Sequence, residues 1–299
     1  MHIDLHRRTP LLYFILFSLL TPSKIESQVN YEDGGLTGQQ KLLLNPAFCV
    51  SSDGLNIQTL GSVITGPYLN QSSFYFGACY RINRLGTGFS INNFLYGPVT
   101  VNRSDLSFGS RFRINSKLTI VPSLQVSYLK SKLATGWISE LNSNNNYQNL
   151  NISSGVIFDI KKRITFGASF YNLNSTDPIF GTSQTRQPIQ IYHLSLLLFS
   201  ERTITLQPYS VFKQNLISQI FELGTITYFN IFSLQTAFKK INSNNQFNAG
   251  LSLHLKKLKF GYSISFYPTA KINSNLHEIF LSFDLLNKSN APQRNLTIN

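Results

Sequence analysis

The sequence predicts an all-β fold: a transmembrane, antiparallel, up-and-down β-barrel of about 14 strands, within a range of about 12 to 16. Three observations carry this expectation. The chain repeats segments of about 8 to 12 residues in which apolar and polar side chains alternate, the period of a strand with one face in each medium. Charged residues are only 13% of its 299 residues, about half the share in ordinary soluble domains. Beyond the N-terminus no run approaches the roughly 18 apolar residues that a membrane-spanning helix needs.

The elements follow in order. His2, Arg7 and Arg8 precede the apolar run Leu11-Leu12-Tyr13-Phe14-Ile15-Leu16-Phe17-Ser18-Leu19-Leu20, and Ser27 stands where a cleavage site would fall. That is the pattern of a secretory signal peptide, assigned to residues 1–27. The run is too short for a spanning helix, which needs about 20 residues. Residues 28–54 form a lead-in, 55–286 the barrel and 287–299 a polar tail. Strands are expected near 55–65, 72–81, 86–95, 104–114, 117–130, 150–160, 163–172, 190–200, 202–212, 217–229, 231–239, 246–256, 257–267 and 276–286.

The alternation is clear in individual segments. Leu258, Phe260, Tyr262, Ile264 and Phe266 share one face, against Lys259, Gly261, Ser263 and Ser265. Leu118, Ile120, Pro122, Leu124, Val126 and Tyr128 oppose Thr119, Ser123, Gln125 and Ser127. The wet face carries Gly, Ser, Thr, Asn and Gln, which suits a polar lumen, whereas a soluble sandwich would carry more charge. In lipid every backbone group must be bonded within the protein, and a closed barrel is the sheet that achieves this. Connections at Asn115-Ser116 and Lys161-Lys162 are short, whereas 131–149 and 173–189 are long, polar loops. Loops of that kind are where partner contacts belong.

Composition narrows the chemistry. The net charge is +13, but Lys and Arg lie in ones and twos at the ends of apolar runs. That is a charged rim around a membrane protein, and no nucleic-acid-binding signature accompanies it. Past residue 27 there are three histidines, His193, His254 and His277, with no nucleophile elbow and no metal-ligand spacing. Gly86-Thr87-Gly88 lacks the strand-to-helix context of a phosphate loop and reads as two glycines on a barrel strand. No enzyme activity and no cofactor are expected. Cys49 and Cys79 either pair in an oxidising compartment or stand as two small unpaired residues near strands.

Two short elements remain. Gln39-Gln40 is followed by Leu44-Asn45-Pro46-Ala47, and the last strand reads His277-Glu278-Ile279-Phe280-Leu281-Ser282-Phe283. Taken alone, Asn45-Pro46 reads as a turn entering the first strand, and His277-Glu278 as a polar strand start at the water interface. Taken together, with Phe166-Gly167-Ala168-Ser169, Asn172-Leu173 and Leu206-Gln207-Pro208-Tyr209-Ser210 ahead of Lys213, the sequence resembles the PorP/SprF family of type IX secretion membrane proteins. The resemblance runs over about residues 38–286, with Asn45, Pro46, Ala47, His277 and Glu278 as family-motif positions. It departs in Phe48-Cys49-Val50, where the family usually has a small residue and then Gly. The resemblance implies a non-enzymatic barrel in the outer membrane of a Gram-negative bacterium, exported by its signal peptide and surrounded by outer-membrane lipid. Its implied partners are a secreted, adhesin-like cargo protein, as in gliding motility, and other secretion subunits. The alternative is a general porin or small-solute channel.

Overall fold

The computed structural model describes residues 41–50, 54–65, 71–96, 99–133, 146–174, 188–200, 204–215, 218–242, 244–266 and 275–285. The expected signal peptide, the polar tail and most of the loops 131–149 and 173–189 lie outside the described residues. Fourteen long strands follow a short N-terminal element among those described. They are β1 (Gly54–Thr65), β2 (Gln71–Ile82), β3 (Leu85–Tyr96), β4 (Val99–Ser110), β5 (Leu118–Leu133), β6 (Asn146–Ile160) and β7 (Ile164–Tyr171). The second half comprises β8 (Ile189–Leu196), β9 (Ile204–Gln214), β10 (Gln219–Phe229), β11 (Phe232–Ile241), β12 (Asn244–Leu255), β13 (Leu258–Phe266) and β14 (Asn275–Leu285).

Each strand pairs antiparallel with the next, and β14 pairs with β1 from Leu55 opposite Leu285 to Thr65 opposite Asn275. The sheet is therefore a closed 14-stranded barrel without a free lateral edge, as the alternation predicted.

The outer face carries Phe74, Ile91, Leu106, Leu124, Ile152, Leu223, Leu234, Leu251 and Ile279, all exposed. The inner face carries Asn92, Asp105, Gln125, Ser127, Ser153, Glu222, Gln235, Asn248, Ser265 and Glu278, all buried. Hydrophobic outside and polar inside is the reverse of a soluble domain, and it identifies lipid as the outer solvent. The apolar belt has a visible upper limit. Asn93 faces Asn102, Asn102 faces Lys130 and Lys130 faces Gln148, forming one exposed polar row across β3 to β6.

That limit explains one departure from the expected boundaries. The fourth strand was expected at 104–114, where the alternation is regular, but it starts at Val99. Above the belt the outward position is Asn102 and the inward one Val101, so the polarity signal fades while backbone pairing continues. At its other end the ladder skips and resumes at Phe112–Arg113. Gly109 faces Ser123 before the gap and Phe112 faces Ile120 after it, the same register. Pro122 lies in the gap and has no N–H to donate.

The turns at one end of the barrel are tight. Asn83, Asn230 and Lys256 open two-residue turns with φ of 56°, 49° and 41°. Asn tolerates this left-handed backbone better than Lys does. Lys161 and Lys162 both adopt it, at 52° and 55°, in the turn closed by Arg163 N–H donating to the Ile160 carbonyl. Replacing Lys161-Lys162 with Asn-Gly should relieve about 1 kcal/mol of backbone cost. The urea unfolding midpoint of the barrel in detergent should rise; an unchanged or lower midpoint would show that this turn stores no such cost.

Candidate functional site in the barrel lumen

The residues ahead of the first strand lie inside the barrel. A single helical turn, α1 (Lys41–Leu44), leads through Asn45 into a 3-10 turn, Pro46–Val50. Three consecutive leucines splay from this turn because successive residues of a helix point about 100° apart. Leu42 packs into a cluster with Cys79, Val121 and Ile157. Leu43 packs on Leu60, Tyr75 and Phe280, and Leu44 on a cluster holding Tyr171, Ile191, Tyr209 and Ile226. The three clusters belong to different sectors of the wall, so this plug braces the lumen across its width.

Asn45 pins it. Its side-chain Nδ2 donates to the carbonyls of Val156 at 3.1 Å and Ala168 at 3.0 Å. Those two residues are directly opposed across the β6–β7 seam, so one amide bridges two strands. Its Oδ1 accepts from the Ala47 N–H at 2.9 Å, which holds the Asn-Pro-Ala corner. Wall side chains then satisfy the plug's carbonyls. Ser169 Oγ donates to Leu44 O at 2.7 Å, Tyr171 OH to Leu43 O at 3.0 Å and Arg81 Nη1 to Val50 O at 2.9 Å. Asn45 and Cys49 are fully buried, and an unpaired amide there would cost the penalty these bonds avoid.

The wall is hollowed to receive the plug. A Cβ at Gly155 would sit 2.1 Å from Asn45 Oδ1, and one at Gly109 2.6 Å from Val50 Cγ2. At Gly86 it would meet Cys49 O at 2.8 Å, and at Gly88 Cys49 Cβ at 2.9 Å. All four face inward, and at each of them the absent side chain is filled by the plug. The Gly86-Thr87-Gly88 pair lies on a barrel strand, as its sequence context implied, and forms part of this seat.

Elsewhere the lumen holds paired charge. Arg103 Nε and Asp105 Oδ1 are 2.7 Å apart, with Ser90 Oγ donating to Asp105 at 2.9 Å. On the other wall Tyr209 OH donates to Glu222 Oε1 at 2.8 Å, and Lys239 Nζ lies 3.9 Å from Glu222 Oε2. Buried ions of this kind persist because each has a partner and hydrogen bonds. Among the described residues, no group of three or more His, Cys, Asp or Glu side chains is placed to hold a metal ion.

The motif positions divide accordingly. Asn45, Pro46 and Ala47 form the plug corner; the turn entering the first strand, expected from Asn45-Pro46 alone, is instead a buried anchor. His277 points outward and shares a 2.7 Å hydrogen bond with Tyr262 OH. Glu278 points inward, is buried, and accepts from Ser263 Oγ at 2.9 Å. The two motifs do not meet: one is bonded to β6 and β7, the other to β13. Asn172-Leu173 has a backbone role, because Leu173 N–H donates to Ile152 O while Asn174 bonds Ile152 N–H and Leu150 O. These contacts extend β7 along β6. The glycine seat and the leucine brace escaped the sequence reading. Inward-facing glycines and a Leu-Leu-Leu run just before Asn-Pro were the available signal.

A closed barrel with a lipid-facing apolar belt, a polar lumen and its own N-terminal segment lodged inside defines the protein as an outer-membrane β-barrel. The chain belongs to the type IX secretion system membrane protein PorP/SprF family, whose model matches residues 38–283. That span takes in the plug as well as the wall. Among solved structures it is similar to the CymD monoaromatic hydrocarbon channel, with a TM-score of 0.55, 10% identity, and coverage of 83% of this chain and 92% of that one. The Ralstonia pickettii toluene transporter TbuX gives 0.54 and 10%, covering 81% and 92%. The Pseudomonas putida toluene transporter TodX gives 0.50 and 11%, covering 82% and 92%. At these identities the likeness is one of fold. A comparison with curated protein sequences finds no match.

Gly155→Ala places a methyl group where Asn45 Oδ1 now lies and should unseat the plug. Asn45→Ala removes two bonds to wall carbonyls and should lower stability by about 1–3 kcal/mol. Both variants should keep the heat-modifiable gel mobility of a folded barrel while trypsin gains access to Lys41. Protection equal to the natural chain's would show that Asn45 does not hold the plug.

Proposed function

We propose that this protein is a non-enzymatic outer-membrane component of the type IX secretion system that supports secretion or surface attachment of adhesin-like partner proteins. The observation that carries a scaffold over a pore is the segment 41–50, which crosses the lumen and is hydrogen-bonded to both sides of the β6–β7 seam. A barrel braced by its own chain is suited to hold something at the membrane. Family membership supplies the system it serves. In this reading residues 1–27 direct export, the tight-turn end faces the periplasm, and the longer loops face outward. Of the expected loops 131–149 and 173–189, residues 131–133, 146–149 and 189 belong to barrel strands. The work is binding: the remaining segments 134–145 and 175–187 hold the cargo or a second secretion subunit, with the barrel anchoring that contact.

A second reading, a small-solute channel, draws on the neighbours' fold and on the lumen's polarity. The side-chain amides of Gln246 and Asn248 are buried, point inward and have no hydrogen-bond partner among the described residues. Groups of that kind are usually wetted.

The deciding experiment compares the surface and medium proteomes with and without the gene. Loss of one or a few large exported proteins, restored on complementation, is the expected result. An unchanged proteome together with steady conductance in planar bilayers would overturn the secretion reading in favour of the channel. Replacing each long loop with a short Gly/Ser turn should abolish cargo retention with the barrel still folded. Retention surviving both replacements would remove the loops from the binding role.

A further inference from the structure

Cys49 and Cys79 are the two cysteines of the chain, and the fold brings them together from opposite sides of a functional joint. Cys49 belongs to the plug, Cys79 to the inward face of β2, and both are buried in one cluster with Leu42 and Val50. Gly88, directly opposite Cys79 on β3, measures their proximity. A single point, the Cβ position at Gly88, lies 2.9 Å from Cys49 Cβ and 3.6 Å from Cys79 Sγ. No side chain stands at that point. Both are free thiols in this structure, and Cys49 Sγ donates weakly to Gly86 O at 3.8 Å. Rotation about the Cα–Cβ bonds aims the two Sγ atoms at each other, and a slide of the plug over the glycine seat brings the Cβ atoms to the separation of about 3.5–4.5 Å that a disulfide needs.

We propose that Cys49 and Cys79 form a disulfide that bolts the plug to the barrel wall. The oxidant is a thiol–disulfide oxidoreductase of the periplasm. One cysteine thiolate attacks its disulfide to give a mixed disulfide, releasing one enzyme thiolate. The second cysteine then attacks the first cysteine's sulfur and displaces the other enzyme thiolate. The S–S bond forms as the enzyme's S–S bond is reduced to two thiols, so two electrons and two protons pass to the enzyme. The step belongs to assembly, before the plug is seated. Once seated, burial pushes the Cys49 thiol up to about 12, and neither thiolate nor reductant reaches the joint. The cross-link ties the plug, the one described element outside the barrel's backbone ladder, to the wall that receives it.

The proposal rests on the outer-membrane reading for its oxidising compartment, but its failure is read from the cysteines alone and not from the surface proteome. Native full-length protein is extracted from membranes under acid quench, denatured, alkylated with N-ethylmaleimide without reductant, and digested for mass spectrometry. The expected product is one linked peptide pair containing Cys49 and Cys79, lost on reduction and absent from Cys79→Ser protein. Recovery of both cysteines as separate maleimide adducts, from protein whose heat-modifiable mobility shows a folded barrel, would overturn the proposal.

Discussion

The rest of this structure depends on the rule that a backbone in hydrocarbon must bond to itself. A sheet can obey only by closing, and the pairing of β14 with β1 is that closure. Closure turns every strand into a partition between two media, which is why apolar and polar residues alternate with period 2 along the chain. It also creates a second problem. A ring of 14 strands encloses more space than wall side chains of ordinary length fill, so the lumen must hold water, a ligand or another piece of chain.

Here another piece of chain enters that space. The plug is short, yet each of its parts answers a different wall sector: Leu42, Leu43 and Leu44 enter three apolar clusters, while Asn45 bonds two strand carbonyls. Such an insertion succeeds because the wall yields where the plug is widest. Four inward glycines give up their side chains, and Ser169, Tyr171 and Arg81 supply donors where the plug offers carbonyls. The plug and its seat are complementary in both shape and hydrogen bonding, which makes the Asn-Pro-Ala corner a structural anchor whose chemistry is recognition of backbone.

The terminal motif shows the same physics from the wall's side. His277 and Glu278 are adjacent in sequence but belong to different solvents, since consecutive residues of a strand face opposite ways. His277 is tied to Tyr262 on the outer face, and Glu278 to Ser263 inside. A pair that looks like one polar element is two separate contacts that knit β13 to β14 from either side. In this chain both motif positions have roles in assembling and holding the barrel.

The sequence by itself determined the class of fold, a count of about 14 strands and the face that most strand side chains take. These are local consequences of a period-2 pattern meeting two solvents, and each can be read in a window of about ten residues. It also marked Asn45-Pro46-Ala47 and His277-Glu278 as a pattern without saying what either touches. Tertiary structure alone decided that Asn45 lies inside the lumen, that Gly86, Gly88, Gly109 and Gly155 form its seat, and that Cys49 meets Cys79. Those contacts join residues far apart in the chain across the interior of a closed surface. Their partners are chosen by the register of strands around the ring, which no single strand's sequence contains.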